Sequence, residues 1–289
     1  MIADHFSLLR PKQWIKNFFI FAALFFSKKA FQFDLTIKYV FCFGLFCMLT
    51  SSIYIINDIV DKSKDQLHPQ KRNRPIASGK VTVKNGMMLS LGLVSISLFF
   101  SYFINIKFLF ICLIYLIMNI LYSLYLKKIV IVDIFCIAIG FVLRVIAGSV
   151  IGNIIISHWI IICTLMLSLF LGFTKRRHEL MLLDEKANYH RPILVEYSTL
   201  FLDQMISVVT TSTVIFYILY TLSQDTIEKF HTNKLMYTVI FVIYGIFRYL
   251  YLVYKKELGG SPTIALLTDG PLLINVLMWV LSVGIVIYL

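Results

Sequence analysis

Charge is scarce in this 289-residue chain, and acidic charge is scarcer than basic charge. Asp and Glu together number 15 against 27 Lys and Arg, and charged residues make up only 15% of the chain. Hydrophobic residues make up 59%, and the mean hydropathy is +0.84. This composition excludes a soluble globular domain and favours a membrane protein.

Cysteine is also sparse, and its placement predicts neither a metal site nor a disulfide. No pair has the short spacing of metal ligands, and none lies in a loop where a disulfide would be useful. All five lie inside apolar runs, as Cys42, Cys47, Cys112, Cys136 and Cys163. Low-complexity segments and interdomain linkers are absent as well, so we predict one domain over residues 1–289.

Long apolar runs dominate what is present. A spanning helix needs ~20 apolar residues to cross a hydrocarbon core of ~30 Å. The runs are continuous rather than alternating, which argues against β-strands. We therefore predict an all-α polytopic membrane protein with nine transmembrane helices, the first of them a retained span and not a cleaved signal peptide. The nine runs are 17–36, 39–57, 86–105, 108–126, 129–150, 154–173, 203–223, 235–254 and 271–289.

Basic residues are distributed unevenly between the two sides of this bundle. With a cytoplasmic N-terminus, 19 of them lie inside, six lie outside and two lie within spans. Such a bias predicts a cytoplasmic N-terminus, an outside C-terminus and long cytoplasmic loops at about 58–85 and 174–202. It explains most of the net charge of +12 without a nucleic-acid partner. We place the protein in the cytoplasmic (inner) membrane, with its polar chemistry at the cytoplasmic face.

Three aspartates follow the second predicted span, in NDIVDKSKDQLHPQKRNRPIASG. Asp58, Asp61 and Asp65 are spaced i, i+3, i+7, and Asn57 aligns with the latter two. On a helix that continues past the membrane these side chains share a face, where like charges need a cation. A solvated helix end is the alternative, although helix C-termini disfavour acidic side chains. Because Mg²⁺ combines carboxylates with substrate phosphates, we predict a Mg²⁺ site here.

Basic residues follow the aspartates within a short segment bounded by prolines. Lys71, Arg72 and Arg74 are expected to bind phosphate directly, since guanidinium groups match phosphate oxygens. His68 is either a further contact or an exposed loop residue.

A second basic cluster, RPKQWIKN at residues 10–17, lies where the first span begins. Trp14 and the lysines fit an interfacial anchor, while Lys12, Lys16 and Asn17 equally fit the mouth of a site. Both interpretations stay open.

Isolated polar residues inside spans indicate a polar cavity. Asp133 and Arg144 both fall in the fifth span, where a charge is costly and usually faces the bundle interior. They are ~16 Å apart along a helix, too far to pair directly. Tyr122 and Tyr125, one turn apart at the end of the fourth span, share a face that is either interfacial or directed inward.

The second long loop begins with TKRRHEL. Lys175, Arg176 and Arg177 are interpreted as a second anion site, with a structural basic collar as the alternative.

Taken in order, these motifs resemble one known family. NDxxDxxxD after the second span resembles the first aspartate motif of the UbiA superfamily of intramembrane prenyltransferases, in which it holds Mg²⁺ against a diphosphate. LRPKQWIKN, YSLYLKKIVIVD, GFVLRVIAG and FTKRRHEL are similar to the phosphoribosyltransferase branch of that superfamily. The loop KRRHELMLLDEK departs from ordinary prenyltransferases, because it lacks their second aspartate-rich motif.

The resemblance implies Mg²⁺-dependent transfer of a 5-phosphoribosyl group from phosphoribosyl pyrophosphate to a polyprenyl phosphate, with release of pyrophosphate. It implies that Asp58, Asp61, Asp65 and Lys16 are catalytic, with Asn57 joining the three aspartates as a metal ligand. The implied substrate-binding residues are Lys12, Asn17, Lys71, Arg72, Arg74, Tyr122, Lys128, Arg144, Lys175, Arg176 and Arg177.

Two other functions stay open on the sequence alone. One is a UbiA-type prenyltransferase that joins a prenyl diphosphate to an aromatic or other acceptor, and the missing second aspartate motif argues against it. The other is a non-catalytic carrier, which would also place polar residues in a membrane core. Here the acids and bases cluster at one face instead. An oligomer is compatible with the sequence.

Overall fold

The computed structural model of the protein describes residues 2–67, 71–183, 192–256 and 258–289. These ranges are helical and contain no strand, which confirms the all-α prediction. The α-helices are α1 (Ile2–Leu8), α2 (Phe21–Phe25), α3 (Phe33–Val60), α4 (Lys62–Leu67), α5 (Val83–Ile104), α6 (Ile106–Leu124), α7 (Val132–Ile151), α8 (His158–Leu183), α9 (Thr199–Leu222), α10 (Gln224–Phe230), α11 (Val239–Lys255), α12 (Pro262–Thr268) and α13 (Gly270–Tyr288).

Within the described ranges, eight helical segments are long and apolar enough to cross a membrane. They are α3, α5, α6, α7, α8, α9, α11 with the 3₁₀ turn before it, and α13. These match the predicted runs from the second onward. The first predicted run differs, because the chain there forms a 3₁₀ helix over Pro11–Ile20 that leads into the five-residue α2. The count of nine crossings is therefore not confirmed.

Polar residues at the helix starts explain where several spans begin. The Asn105 side chain accepts a hydrogen bond from the Lys107 amide at 2.8 Å and starts α6. Ser198 and Asp269 cap α9 and α13 in the same way, and Pro271 occupies the first turn of α13. Each cap satisfies a backbone N–H group that has no partner within its own helix.

Contacts divide the chain into two compact units. The first unit comprises Met1–Ile155 and Glu185–Ile193, and the second comprises Ile156–Asp184 and Leu194–Leu289. In the first unit, α3 packs against α5 and α6, and α7 packs against α6, α2 and the 3₁₀ helix. In the second unit, α8 pairs with α9, and α11 packs against α9 and α13. The single domain expected from the sequence stays a prediction.

A close backbone approach in the first unit joins α7 to the end of the 3₁₀ helix. The Tyr39 hydroxyl donates to the Gly148 carbonyl oxygen at 2.5 Å, and both elements lie in one buried apolar cluster. A Cβ atom added at Gly148 would lie 2.0 Å from the Ile20 carbonyl oxygen, a backbone atom that cannot rotate away. This contact fixes the 3₁₀ segment, and with it Asn17, against α7.

We expect Gly148→Ala to destabilise the purified protein, because the added methyl group overlaps the Ile20 backbone. Overpacking of this kind costs about 1–3 kcal/mol. Gly44→Ala is the matched control, since it also lies mid-helix but has no atom within 4 Å. Alanine is favoured over glycine there by about 0.5–1 kcal/mol. Thermal unfolding in detergent should shift in opposite directions, and a shift in the same direction would contradict the close approach.

Candidate functional site

The predicted helical continuation carries the aspartates past the end of α3. The Asp61 amide donates to the Asn57 carbonyl at 2.9 Å, and the Asp65 amide donates to the Asp61 carbonyl at 2.8 Å. These i to i−4 bonds keep the chain helical across the junction with α4, so the i, i+3, i+7 spacing is preserved in space. Asp58 and Asp65 are 2% and 4% exposed, so their charges are withdrawn from water.

Each of the three carboxylates is paired with a basic side chain. Arg74 Nη1 donates to Asp58 Oδ1 at 3.0 Å and to Asp65 Oδ2 at 2.7 Å. Arg10 also pairs with Asp58. Lys127 Nζ donates to both carboxylate oxygens of Asp61, at 2.7 and 2.8 Å. The site is therefore a cluster of alternating charge, built from α3, α4 and three other segments of the first unit.

At Asp65 the neighbouring positive charge does not fully offset the effect of burial on the carboxyl group. Burial raises the pKa of its carboxyl group above the usual range, although the neighbouring Arg74 acts in the opposite direction. A carboxylate in this condition is stabilised by any further cation that reaches it. The pair of carboxylates on Arg74 thus favours a cationic ligand.

The donor set fits Mg²⁺, which takes oxygen ligands and usually needs only one or two carboxylates besides substrate phosphates. In the described ranges, no three or more His, Cys, Asp or Glu side chains are arranged around one point as metal ligands. A cage made by the protein alone is therefore not present in them. The carboxylates instead suit a metal shared with a phosphate-bearing substrate.

Arg10 reaches the site from a tight turn that is tied to α3. Its backbone is left-handed (φ 51°, ψ 59°), a conformation that is unfavourable for a residue with a side chain. The Ser51 hydroxyl donates to the Leu9 carbonyl at 2.8 Å and accepts from Trp14 Nε1 at 3.0 Å. The Arg10 guanidinium lies 5.1 Å from the centre of the Tyr54 ring. Trp14 is thus bonded within the protein in addition to any role as an interfacial anchor.

Arg144 lies deeper in the same unit, on α7, and is 5% exposed. Its Nε donates to Asn17 Oδ1 at 2.8 Å, its Nη1 to the Gly140 carbonyl at 2.8 Å and its Nη2 to the Tyr115 hydroxyl at 2.7 Å. Asn17 is held in turn by hydrogen bonds to Cys47 and Thr50. The expectation that Arg144 and Asp133 face the interior is met, since Asp133 is 0% exposed.

The structure does not bring all the predicted site residues to this cluster. Lys12 and Arg72 are exposed, as is Lys128, next to the paired Lys127. Lys16 and Tyr122 are half-buried in the first unit. Lys71 is also half-buried, and it is an electrostatic neighbour of Asp65 in the cluster. Asn57 supplies a backbone carbonyl to the helix junction. His68 lies outside the described residues.

The basic residues of TKRRHEL lie at the end of α8, in the second unit, and pair with carboxylates there. Arg176 is 1% exposed and its Nη1 donates to Glu179 at 2.6 Å, while Lys175 lies 3.8 Å from the same carboxylate. Arg177 donates to Asp203 at 2.5 Å and stacks 4.1 Å from the centre of the Tyr254 ring. Their role in binding phosphate stays a prediction.

Two residues that join the aspartates, Arg10 and Lys127, were not among the candidates. Their partners are 48 and 66 residues away in the chain, so no local spacing reveals the pairs. The available signal is the charge balance: three acids close together require basic partners, and the RPKQWIKN and YSLYLKK segments also carry basic residues.

Fold and site together define a polytopic helical membrane enzyme with a carboxylate site at one end of its spans. The sequence matches the UbiA prenyltransferase family over residues 17–265. The protein therefore belongs to the UbiA prenyltransferase family, and it is a transferase of that superfamily.

Named relatives cover most of the chain. A decaprenyl-phosphate phosphoribosyltransferase of Mycolicibacterium smegmatis is 31% identical over 100% of this chain and 93% of its own length. A protein of the same name from Corynebacterium glutamicum is 29% identical over 97% of this chain and 86% of its own length. A UbiA homologue from Archaeoglobus fulgidus, solved with GPP and Mg²⁺, shares the fold with a TM-score of 0.73 at 20% identity, over 99% of each chain.

We expect Arg74→Gln to destabilise the protein in the presence of a chelator, because two buried carboxylates lose their shared partner. A buried acceptor without its charged donor costs about 1–3 kcal/mol. Adding Asp65→Asn should restore part of this loss, since the amide no longer needs a cation. Arg72→Gln, an exposed neighbour, is the control for stability. Additive effects of the two substitutions in thermal unfolding would rule out the coupling.

Proposed function

We propose that the protein transfers the 5-phosphoribosyl group of phosphoribosyl pyrophosphate to a polyprenyl phosphate and releases pyrophosphate. The observation that carries this proposal is the cluster of three carboxylates, each paired with a basic side chain, at the end of α3. The full-length similarity to relatives named decaprenyl-phosphate phosphoribosyltransferase supports the choice of substrates.

The donor's diphosphate would bind at Asp58, Asp61 and Asp65 together with Mg²⁺, with Asn57 as a further ligand. When bound, Mg²⁺ would neutralise charge that develops on the departing diphosphate. Arg10, Arg74 and Lys127 would then exchange carboxylate oxygens for phosphate oxygens and stabilise the same charge. In this scheme the basic side chains that pair with the aspartates would pass to the substrate.

The acceptor phosphate would form its new O–C bond at the anomeric carbon of ribose while the bond from that carbon to the diphosphate oxygen breaks. The transition state would resemble an oxocarbenium ion, as in other glycosyl transfers. A phosphate monoester is already a nucleophile, so no strong general base is required. The chain's own contribution is to hold the two anions next to each other despite their repulsion.

We also propose that residues 11–25 form a ninth crossing. The ten residues of the 3₁₀ helix rise by ~2.0 Å each, or ~20 Å in total. The five residues of α2 add ~7.5 Å. The two together approach the ~30 Å hydrocarbon core. Nine crossings with a cytoplasmic N-terminus would place the aspartate cluster at the cytoplasmic face of the inner membrane, where a soluble donor is available.

The reaction is tested by incubating purified protein with phosphoribosyl pyrophosphate, Mg²⁺ and a polyprenyl phosphate, followed by mass spectrometry of the lipids. We expect a lipid heavier by one phosphoribosyl group, its loss in EDTA and its recovery with added Mg²⁺. Asp58→Asn and Asp61→Asn should each strongly reduce the product, because the Mg²⁺ that would hold the diphosphate loses a carboxylate ligand.

Matched reactions separate this function from the alternative. Incubation with a prenyl diphosphate and an aromatic acceptor should give no prenylated product. A prenylated product there, without phosphoribosylated lipid in the first reaction, would assign the protein to prenyl transfer instead. Product formed at full rate in EDTA would remove the metal from the mechanism.

The orientation is tested with Ser78→Cys, whose side chain is exposed in the segment after the aspartates. We expect a membrane-impermeant thiol reagent to leave this cysteine unlabelled in intact cells and to label it after lysis. The five native cysteines are buried or half-buried, so the parent protein is the control for background. Labelling of intact cells would place the aspartate site on the outer face.

A further inference from the structure

Two basic side chains of the first unit lie near each other without an acidic partner. Within the described ranges, the Lys16 ammonium group makes no hydrogen bond or ion pair. Its electrostatic neighbours are Arg144 and Arg10, both of the same sign. Arg10 is neutralised by Asp58, but Arg144 bonds only to uncharged groups. The excess positive charge is therefore concentrated on Lys16 and Arg144.

The surroundings make this excess costly. Arg144 lies ~18 Å along α7 from its start, near the middle of a membrane-spanning helix. Aromatic rings of Phe46, Tyr115 and Phe141 flank its guanidinium at 5.7, 4.9 and 5.2 Å, which excludes water. Charges in spans usually pair with an opposite charge. Both cations would therefore be stabilised by an anionic ligand.

The position of Arg144 is nevertheless rigidly built. Hydrogen bonds to Asn17, Gly140 and Tyr115 fix three sides of the guanidinium, and Asn17 is itself anchored on α3. Because Asn17 follows Lys16 in the chain, the same contact places the Lys16 backbone beside Arg144. This set of hydrogen bonds indicates that the position of the Arg144 guanidinium is specified by the fold.

We propose that Lys16 and Arg144 form a site for a phosphate monoester that needs no metal. Lys16 would bind the phosphate directly, while Arg144 would supply charge and hold Asn17 in place. The inference rests on the proposed function and deepens it, since that reaction involves two monoesters: the acceptor lipid phosphate and the 5-phosphate of the donor. In the described ranges neither cation is hydrogen-bonded or ion-paired to a carboxylate, the ligand that a Mg²⁺-bridged diphosphate needs.

Arg10 connects this site with the aspartate cluster. It pairs with Asp58, stacks on Tyr54 and is an electrostatic neighbour of Lys16. A phosphate on Lys16 would therefore lie next to a diphosphate on the aspartates. The basic residues between them would screen the repulsion of the two anions, which is the main obstacle to bringing two phosphorylated substrates together.

The test measures binding in EDTA, without turnover, of two probes: farnesyl monophosphate for the lipid and ribose 5-phosphate for the donor. We expect Lys16→Met to weaken one or both about ten- to a hundred-fold, equally with and without Mg²⁺. Lys84→Met, an exposed lysine of the same unit, should bind as the parent does. The probe whose affinity falls identifies the source of the phosphate.

Thermal unfolding of the ligand-free protein provides the second measurement. Lys16→Met should raise the unfolding temperature by about a few degrees, because it removes a desolvated charge repelled by Arg144. If Lys16 had only a structural role, Lys16→Met would lower the unfolding temperature and leave monophosphate binding unchanged. Arg144→Gln should also weaken binding, but it removes the contacts to Asn17 and Tyr115, so Lys16 decides the question.

Three outcomes would overturn the inference: no monophosphate binding by the parent in EDTA, unchanged binding by Lys16→Met, or a loss seen only with Mg²⁺. The proposed function is judged separately, by phosphoribosylated lipid in the mass spectrum. Product without monophosphate binding in EDTA would contradict only this site. Tight, Lys16-dependent monophosphate binding without any phosphoribosyl transfer would contradict only the reaction.

Discussion

The charge balance around Asp58 and Asp65 is the constraint on which the site depends. Two carboxylates that are almost fully withdrawn from water destabilise the fold unless cations reach them. Arg74 meets this need by donating to both carboxylates. The end of α3, α4 and the turn at Arg10 thus meet in one cluster of paired charges.

Local patterns explain what the sequence predicts well. Eight spans follow from apolar runs, and the shared face of the aspartates follows from helical spacing. The helix type of the first run is not predictable in this way, since an apolar run does not distinguish a 3₁₀ helix from an α-helix. The contact of this segment with α7, between Ile20 and Gly148, joins residues distant in sequence. The pairing of Arg10 and Lys127 with the aspartates is not predictable either, because residues so distant in sequence produce no periodic pattern.

The same electrostatic reasoning separates the basic residues into two kinds. Arg176 and Arg177 are as basic as Arg144, but Glu179 and Asp203 neutralise them within the second unit. A basic motif read from sequence alone therefore overstates the charge available to a ligand. In the described ranges Lys16 and Arg144 differ from the two arginines of the second unit because neither is hydrogen-bonded or ion-paired to an acid.

This distinction bears on how one fold serves different chemistries. A diphosphate that leaves with Mg²⁺ requires carboxylates, and the end of α3 supplies them. A monoester that attacks must keep its oxygen electron-rich, and a metal shared with carboxylates would withdraw that electron density. A hydrogen-bonding cation, the role proposed for Lys16, would hold the anion more weakly and leave its oxygens available. The separation of the acids from these two bases within the first unit is thus compatible with the proposed transfer between two phosphorylated substrates.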